Sequence, residues 1–326
     1  MLPGTDIRGN LELARYADRL GVDSLWVYET RLATDALVPL AVYALVAERV
    51  RLGTGSIPMW TRNPALIAQS FATLDLLAPG RVILGLGAWW EPLATRVGVS
   101  RTRPVTAMRE VVEAVRLLLS LEEHVTYQGE YVHLEDVYLD HGAASSHDVK
   151  IYIAAVGPQM LRLAGQIAGR GRFELPAYRG VHTQGCTGGQ GRGGIGGAHP
   201  RRRRPGAASD RQGGARQEAG PRRGQALSGP VHIPAASHRG ANREGPTEMG
   251  PELARRLKEV IPWPATPQQV REGARLIPDE LIESLDCYGD EDQVRSRLKE
   301  YKDAGVNMPI VSVASRVDVD VLARGS

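Results

Sequence analysis

Cysteine is nearly absent from this chain of 326 residues, which contains only Cys186 and Cys287. Two cysteines cannot form the multiple disulfides on which small secreted domains depend, so we expect a protein of the reducing cytoplasm. The eight histidines are scattered, without cysteines or carboxylates at the spacing of metal ligands. The sequence therefore predicts no metal site.

Long hydrophobic runs are also missing. No apolar stretch approaches the roughly 20 residues that a membrane-spanning helix needs. The first residues, Met-Leu-Pro-Gly-Thr-Asp, lack the basic segment and the apolar run of a secretory signal peptide. We therefore expect neither insertion into a membrane nor secretion.

Lysine and large apolar side chains are depleted in one segment, residues 169–248. These 80 residues contain 14 arginines, no lysine and 5 acidic residues, a net charge of 14 − 5 = +9, which leaves 3 − 9 = −6 for the remainder. They hold 19 of the 37 glycines, but leucine, isoleucine, valine and phenylalanine together number only 7. Such a segment cannot bury enough apolar surface to fold alone. The chain therefore divides into residues 1–168, 169–248 and 249–326.

Outside that segment, short apolar strands alternate with amphipathic helices. Strands are expected at 24–28, 50–58, 81–88, 150–155 and 308–313, helices at 6–20, 36–49, 63–78, 104–121, 158–168 and 290–305, and a small hairpin at 125–139. Repeated strand–helix units with apolar strands predict a parallel sheet covered by helices. The stretch GLGAWW lacks the third glycine of a dinucleotide-binding turn, so the pattern favours an α/β fold of the (β/α)8 TIM-barrel type.

Two stretches resemble a known family. LGTGSIPMWTRNPALIAQSFATLDLLAPGRVILGLGAWW and IYIAAVGPQMLRLAGQIA are similar to the bacterial luciferase-like superfamily, particularly its deazaflavin-dependent branch, which includes methylenetetrahydromethanopterin reductase-like enzymes. The resemblance covers about residues 1–168 and, more loosely, 250–318. It implies a TIM barrel with coenzyme F420, or alternatively FMN, at the carboxyl ends of the strands.

The resemblance places candidate cofactor-binding residues at the ends of two strands. The family has a non-prolyl cis peptide bond behind the flavin ring, which would fall at Ser56–Ile57 in TGSIP and bring Gly55, Ser56 and Ile57 to the cofactor. Gly87 and Ala88, which end the next strand, would let a flat ring approach. An ordinary turn at TGSIP, and close strand–helix packing at Gly87 and Ala88, are the alternatives.

Two further candidates follow other strands. The backbone N–H groups of Gly157, Gln159 and Met160 would point out of a helix N-terminus, which is a site for a cofactor phosphate. The alternative is a helix start without a ligand. Glu29, after WVY, is the candidate for proton transfer or substrate orientation, and a salt bridge to Arg31 is its alternative.

The chain departs from the family pattern at its first residues. Family chains begin with a strand that precedes the Leu-Pro step, whereas this sequence begins at Met1-Leu2-Pro3. We therefore expect an incomplete barrel in which the first strand is missing and one edge of the sheet is open.

The second departure is the Gly/Arg-rich segment 169–248, which replaces the region of the sixth strand. With suitable synonymous codons, residues 169–190 read one base later become DGVVLNFLPTEEYTRKAVREVK, a buried strand followed by an amphipathic helix. Because the synonymous codons can be chosen freely, this reading shows only that the sequence is consistent with a frameshift near residue 168. The original reading frame would be restored near Met249. A disordered insertion and a nucleic-acid-binding arm remain as alternatives, although the segment lacks the repeated RGG units and stacking aromatics of such arms.

These observations predict an oxidoreductase that transfers hydride between a reduced deazaflavin or flavin and a small organic substrate, with the activity of the chain as written left open. An FMN-dependent monooxygenase and a nucleic-acid-binding protein acting through the Arg/Gly segment are the alternatives. We expect a small-molecule substrate, no specific nucleic acid, no membrane partner and, for an intact barrel, a homodimer.

Overall fold

The computed structural model describes residues 6–122, 124–141, 147–155, 157–168, 250–262, 264–278, 281, 291–303, 308, 310–313 and 316–323. Residues 169–248 lie outside the described residues, so the frameshift, the insertion and the arm all remain predictions.

Helices and short strands alternate through the first half of the chain. The helices are α1 (Ile7–Arg19), α2 (Leu37–Ala44), α3 (Pro64–Leu77), α4 (Leu93–Arg96), α5 (Pro104–Ser120), α6 (Pro158–Ala168), α7 (Pro251–Val260), α8 (Pro267–Ala274), α9 (Glu291–Asp303) and α10 (Arg316–Ala323). The strands are β1 (Ser24–Val27), β2 (Arg51–Thr54), β3 (Ile57–Pro58), β4 (Val82–Gly87), β5 (Val125–Gln128), β6 (His133–Val137) and β7 (Lys150–Ala154). The predicted elements up to residue 168 are confirmed, with two exceptions: α2 ends at Ala44 rather than near Arg49, and the strand expected at 50–58 is divided into β2 and β3.

Five of these strands form one parallel sheet. Its order is β1-β2-β4, and both β3 and β7 also pair with β4. Parallel strands connected by helices confirm the predicted α/β class. Among the described residues these strands do not close on themselves, in agreement with the incomplete barrel expected from the sequence.

The two faces of the sheet carry different side chains. Trp26, Gly53 and Ile83 are register partners on β1, β2 and β4 and therefore share one face. On this inner face the Trp26 ring stacks on Tyr152 of β7, with the ring centroids 5.6 Å apart, and packs with Ile83 and Ile310. Gly53 is required there, because a Cβ would lie 2.7 Å from the Trp26 ring. The opposite, outer face is buried against the helices; it carries Leu25, Leu52, Leu84 and Ile151.

The strand predicted at residues 308–313 was wrong for the part of it that the structure describes. Met308 and residues 310–313 do not belong to a strand. Their apolar pattern reflects side-chain packing instead: Ile310 joins the inner cluster, and Val313 joins the main core. Burial without a hydrogen-bonded ladder produces the same run of apolar residues as a strand does.

The predicted hairpin is confirmed as β5 and β6, which lie against α5. The buried carboxylate of Glu110 accepts three backbone hydrogen bonds from the hairpin tip, from the N–H groups of Glu130, Tyr131 and Val132 at 2.9, 2.7 and 2.9 Å. The Tyr127 hydroxyl donates to Glu113 at 2.7 Å, and burial together with this carboxylate raises the pKa of Tyr127. Two acidic side chains of α5 thus fix the hairpin tip.

Candidate active site

The strand that carries TGSIP is interrupted by one extra residue. Leu52 pairs with Val82 and Ile57 pairs with Leu86, so this strand advances five residues (52 to 57) while β4 advances four (82 to 86). The peptide bond between Gly55 and Ser56 is cis. The interruption is therefore a bulge at the carboxyl end of the sheet, where TIM-barrel enzymes place their sites.

The cis bond lies one position earlier than the sequence predicted, since it joins Gly55 to Ser56 and not Ser56 to Ile57. Ile57 is fully buried and resumes the ladder opposite Leu86. Its backbone is therefore committed to the strand, and the irregular bond falls at Gly55, which has no Cβ to crowd it. The Ile57 side chain belongs to the core, so only its backbone could face a cofactor.

Thr54 and Gly85 support the bulge, and sequence reasoning missed both. The Thr54 hydroxyl, which is completely buried, donates to the Gly85 carbonyl at 3.0 Å and accepts from the Gly85 N–H at 2.8 Å. A Cβ on Gly85 would overlap the Thr54 carbonyl oxygen. The side chain thus satisfies the backbone groups of β4 that the interrupted ladder leaves unpaired. A glycine pair inside a strand, as in GLG, is the signal that could have indicated this close approach.

Gly87 lies directly beside the bulge. The position that its Cβ would occupy is filled by the Ser56 hydroxyl from the bulge. The space above Gly87 therefore accommodates Ser56 of the bulge. Gly55, Ser56 and Ala88 remain half-buried at this edge.

The end of β4 turns sharply after Ala88. Its carbonyl oxygen accepts hydrogen bonds from the Trp60 indole N–H and from Arg101 Nε, both at 2.8 Å. The next residue, Trp89, has a φ of +57°. These contacts fix the backbone direction at the position predicted to face the cofactor.

The start of α6 lies at the same edge of the sheet. Ala154, the last residue of β7, is the register partner of Gly87, and the chain reaches α6 four residues later. Gly157 and Gln159 are exposed, and a Cβ on Gly157 would meet no atom within 4 Å. The Met160 side chain is buried in the core, so Met160 offers only its backbone N–H. The first N–H groups of a helix have no intrahelical partner.

Glu29 forms an ion pair, but with a different arginine from the one considered in the sequence. Arg62 Nη1 and Nη2 donate to the two carboxylate oxygens of Glu29 at 3.1 and 3.0 Å, and Arg62 Nη2 also contacts Asp35 at 2.5 Å. Arg31 is exposed in a turn with a φ of +54°. The salt bridge to Arg31 was therefore wrong, because the segment between β3 and α3 brings Arg62 to the end of β1 instead.

A cleft of about 390 Å³ opens beside these residues. It is lined by residues 60–64 and 131–133, between the segment that leads into α3 and the hairpin tip. Trp60 and Arg62 are among its lining residues, whereas Gly55, Ser56 and Gly157 are not. We therefore take the bulge, with its hydrogen-bonded support, as the candidate site and the cleft as its neighbour.

Over the described part of the chain, no group of three His, Cys, Asp or Glu side chains is arranged to hold a metal ion. None of the helices described is both long and apolar enough to cross a bilayer.

Two curated relatives match part of this chain. An F420-dependent glucose-6-phosphate dehydrogenase of Kineococcus radiotolerans is 37% identical over 203 residues, 55% of this chain and 60% of the relative. A 5,10-methylenetetrahydromethanopterin reductase of Methanolobus tindarius is 34% identical over 155 residues, 48% of this chain and 46% of the relative. The chain thus spans about half to three fifths of these relatives.

A solved structure matches over the whole chain. The coenzyme F420-dependent tetrahydromethanopterin reductase of Methanopyrus kandleri aligns with a TM-score of 0.68 and 18% identity, covering 100% of this chain and 96% of the reductase. At this identity the match shows the fold, which is the α/β arrangement expected for an incomplete barrel. The model of the family described as luciferase-like monooxygenase matches residues 1–169, slightly more than half of the chain. The chain therefore belongs to the luciferase-like monooxygenase family.

Proposed function

We propose that this protein is an oxidoreductase that binds coenzyme F420 and transfers hydride between its ring and a small organic substrate. The name of the Kineococcus relative supports the cofactor, since that enzyme is F420-dependent, and the name of the Methanolobus relative, a reductase, supports the class of reaction. Their named substrates are small molecules, which supports the same class here. The scarcity of cysteine supports a cytoplasmic location.

One observation carries the proposal: the bulge at Gly55–Ser56, the end of β4 and the start of α6 converge on one edge of the sheet. A planar ring with a phosphate-bearing arm fits this arrangement in two respects. The backbone of the bulge is half-buried and so can be contacted by a ring, and Gly157 leaves open space beside a helix N-terminus. The residues present are thus compatible with the cofactor.

The chain contributes binding and orientation. When bound, the deazaflavin supplies the carbon that gives or receives hydride. Gly55 and Ser56 would support one face of the ring, with Ile57 and Gly87 holding the bulge in place from behind and Ala88 at the rim. The N–H groups of Gly157, Gln159 and Met160 would donate hydrogen bonds to the phosphate oxygens, aided by the positive end of the α6 dipole.

Glu29 is better suited to orienting a substrate than to moving a proton. Both of its carboxylate oxygens already accept hydrogen bonds from Arg62, and the Ala36 N–H approaches one of them at 3.4 Å. The side chains of Glu29 and Arg62 are 18% and 20% exposed, so the pair can still be reached from solvent. We propose that it presents a fixed charge pattern to the polar part of the substrate.

FMN with monooxygenase activity is the second candidate, because the matching family is described as luciferase-like monooxygenase. Both cofactors have a planar tricyclic ring and a phosphate, so the bulge and the α6 N-terminus would serve either one. Nothing in the described residues favours nucleic-acid binding, and the Arg/Gly-rich segment that would carry it lies outside them.

Titration of the full chain with F420 and with FMN tests the proposal. We expect saturable quenching of protein fluorescence with a lower Kd for F420, and weaker binding of either cofactor by Gly157→Val, since the side chain would enter the space left for the phosphate. Gly165→Val, an exposed position two turns further along α6, is the matched control and should bind like the parent. A lower Kd for FMN would assign the protein to the flavin branch, and no binding of either cofactor would refute the proposal.

A further inference from the structure

The carbonyl of Ala88 has two side-chain donors from segments that are distant in sequence. Trp60 Nε1 comes from the segment after β3, and Arg101 Nε comes from the segment before α5, and both distances are 2.8 Å. The ladder between β4 and β7 ends one residue earlier, at the pair of Gly87 and Ala154. The carbonyl is therefore beyond the sheet, where backbone hydrogen bonds no longer fix its direction.

The two hydrogen bonds to the Ala88 carbonyl also fix the orientation of the next peptide N–H group. The peptide unit is planar and trans, so the direction of the Ala88 carbonyl also determines the opposite direction of the Trp89 N–H. Trp89 then turns the chain with a φ of +57°, a conformation that L-residues adopt only where their surroundings impose it. The two donors thus set the course of the backbone at the rim of the candidate site.

Both donors are themselves held in place. The Trp60 ring meets the ring of Tyr131 edge to face, with the centroids 5.1 Å apart and an interplanar angle of 89°. Tyr131 lies at the hairpin tip, where its own N–H donates to the buried Glu110 carboxylate at 2.7 Å. Arg101 is 19% exposed and lies 3.5 Å from Glu91. The hairpin and α5 are therefore connected to Ala88 through Trp60.

We propose that Trp60 and Arg101 are positioning residues, which orient the bound cofactor by fixing the Ala88–Trp89 peptide at the rim of the site. This inference rests on the proposed function, because it takes the cofactor ring to lie against that rim. Neither side chain needs to touch the ring. Their effect is carried by the backbone, and it links the hairpin to the geometry of the site.

Trp60→Phe and Arg101→Met, each made in the full chain, test this inference. Trp60→Phe removes the indole N–H but keeps an aromatic ring against Tyr131, and Arg101→Met removes the donor but keeps an apolar stem. Arg103→Met is the matched control, because Arg103 pairs with Glu130 at the surface and is 65% exposed. The measurements are the Kd of oxidised F420, the visible circular dichroism of the bound cofactor, and the Tm.

We expect about a tenfold higher Kd for each of the two variants, an altered circular dichroism band of the bound cofactor, and a Tm close to that of the parent. Arg103→Met should match the parent in all three measurements. Because the two variants remove different donors, misfolding of one leaves the other decisive.

Parent-like binding by both variants would overturn the inference while leaving the proposed function intact. Weaker binding with an unchanged circular dichroism band would also overturn it, since a purely structural loss does not reorient the cofactor. If the parent itself binds neither F420 nor FMN, the proposed function fails, and this inference fails with it.

Discussion

At the scale of single residues, the candidate site depends on glycines at which a neighbouring atom occupies the space that a Cβ would need. Gly85 admits the Thr54 backbone, Gly87 admits the Ser56 hydroxyl, and Gly53 admits the Trp26 ring. Sequence reasoning identified Gly87 and left open whether a flat ring or a packed helix approaches it, because a sequence does not show which neighbour approaches a glycine. It missed Thr54, since a threonine within a strand is ordinary until its hydrogen bonds are known.

Gly85→Ala should therefore destabilise the protein strongly. The new Cβ would overlap a backbone carbonyl that cannot rotate away, and relieving the overlap would displace β2 from β4. We expect a loss of about 3 kcal/mol or more in the free energy of unfolding, measured by urea denaturation. Gly165→Ala, on the exposed face of α6, is the control and should be neutral or slightly stabilising. Equal stability of the two variants would show that Gly85 is not in this close contact.

At the scale of elements, local patterns predicted most of the sheet. The strand–helix alternation to residue 168 and the helix start at Asn63, whose side chain accepts from the Ala65 N–H at 2.8 Å, were both predicted. The position of the cis bond and the apolar segment at 308–313 were not. Both depend on register and on packing between distant segments, which the local pattern of apolar residues does not encode.

Asp18 shows how one element fixes the start of another, and it gives a pH-dependent prediction. Its buried carboxylate at the end of α1 accepts from the N–H groups of Glu48, Arg49 and Val50 just before β2, at 3.1, 2.9 and 2.8 Å. Burial acts to raise the pKa of Asp18, but these three donors outweigh it and lower the pKa below its ordinary value of 3.8. A lowered folded-state pKa stabilises the protein above pH 3.8, and this contribution disappears as the pH falls through the folded value.

Asp18→Asn should therefore lower the free energy of unfolding by about 1–3 kcal/mol at pH 7. The NH2 group of the asparagine cannot accept the backbone N–H hydrogen bonds that the carboxylate accepts. The difference from the parent should shrink below about pH 4, where the parent carboxylate becomes protonated. Asp23→Asn is the control, since Asp23 pairs with Arg51 at the surface, where an ion pair contributes little. A difference that stays constant from pH 7 to pH 3 would contradict the assignment.

At the scale of the whole molecule, the sequence divides into a family-like region and a Gly/Arg-rich segment at 169–248. We expect the DNA of this segment, read one base later, to be open and to encode an apolar strand followed by an amphipathic helix. The reason is the abrupt loss of apolar residues at Gly169 and their return near Met249. The nucleotide sequence across codons 160–255 decides the matter, and stop codons or a lack of helical periodicity in that frame would rule out the frameshift.

The central claim is that a deazaflavin lies on the bulge with its phosphate at the start of α6. A crystal structure of the full chain with bound F420 tests it most directly. We expect the ring to lie against Gly55 and Ser56, and a phosphate oxygen to lie within hydrogen-bonding distance, about 3 Å, of the N–H groups of Gly157, Gln159 or Met160. A ring located away from the bulge, or a phosphate bound in the cleft between residues 60–64 and 131–133, would contradict it.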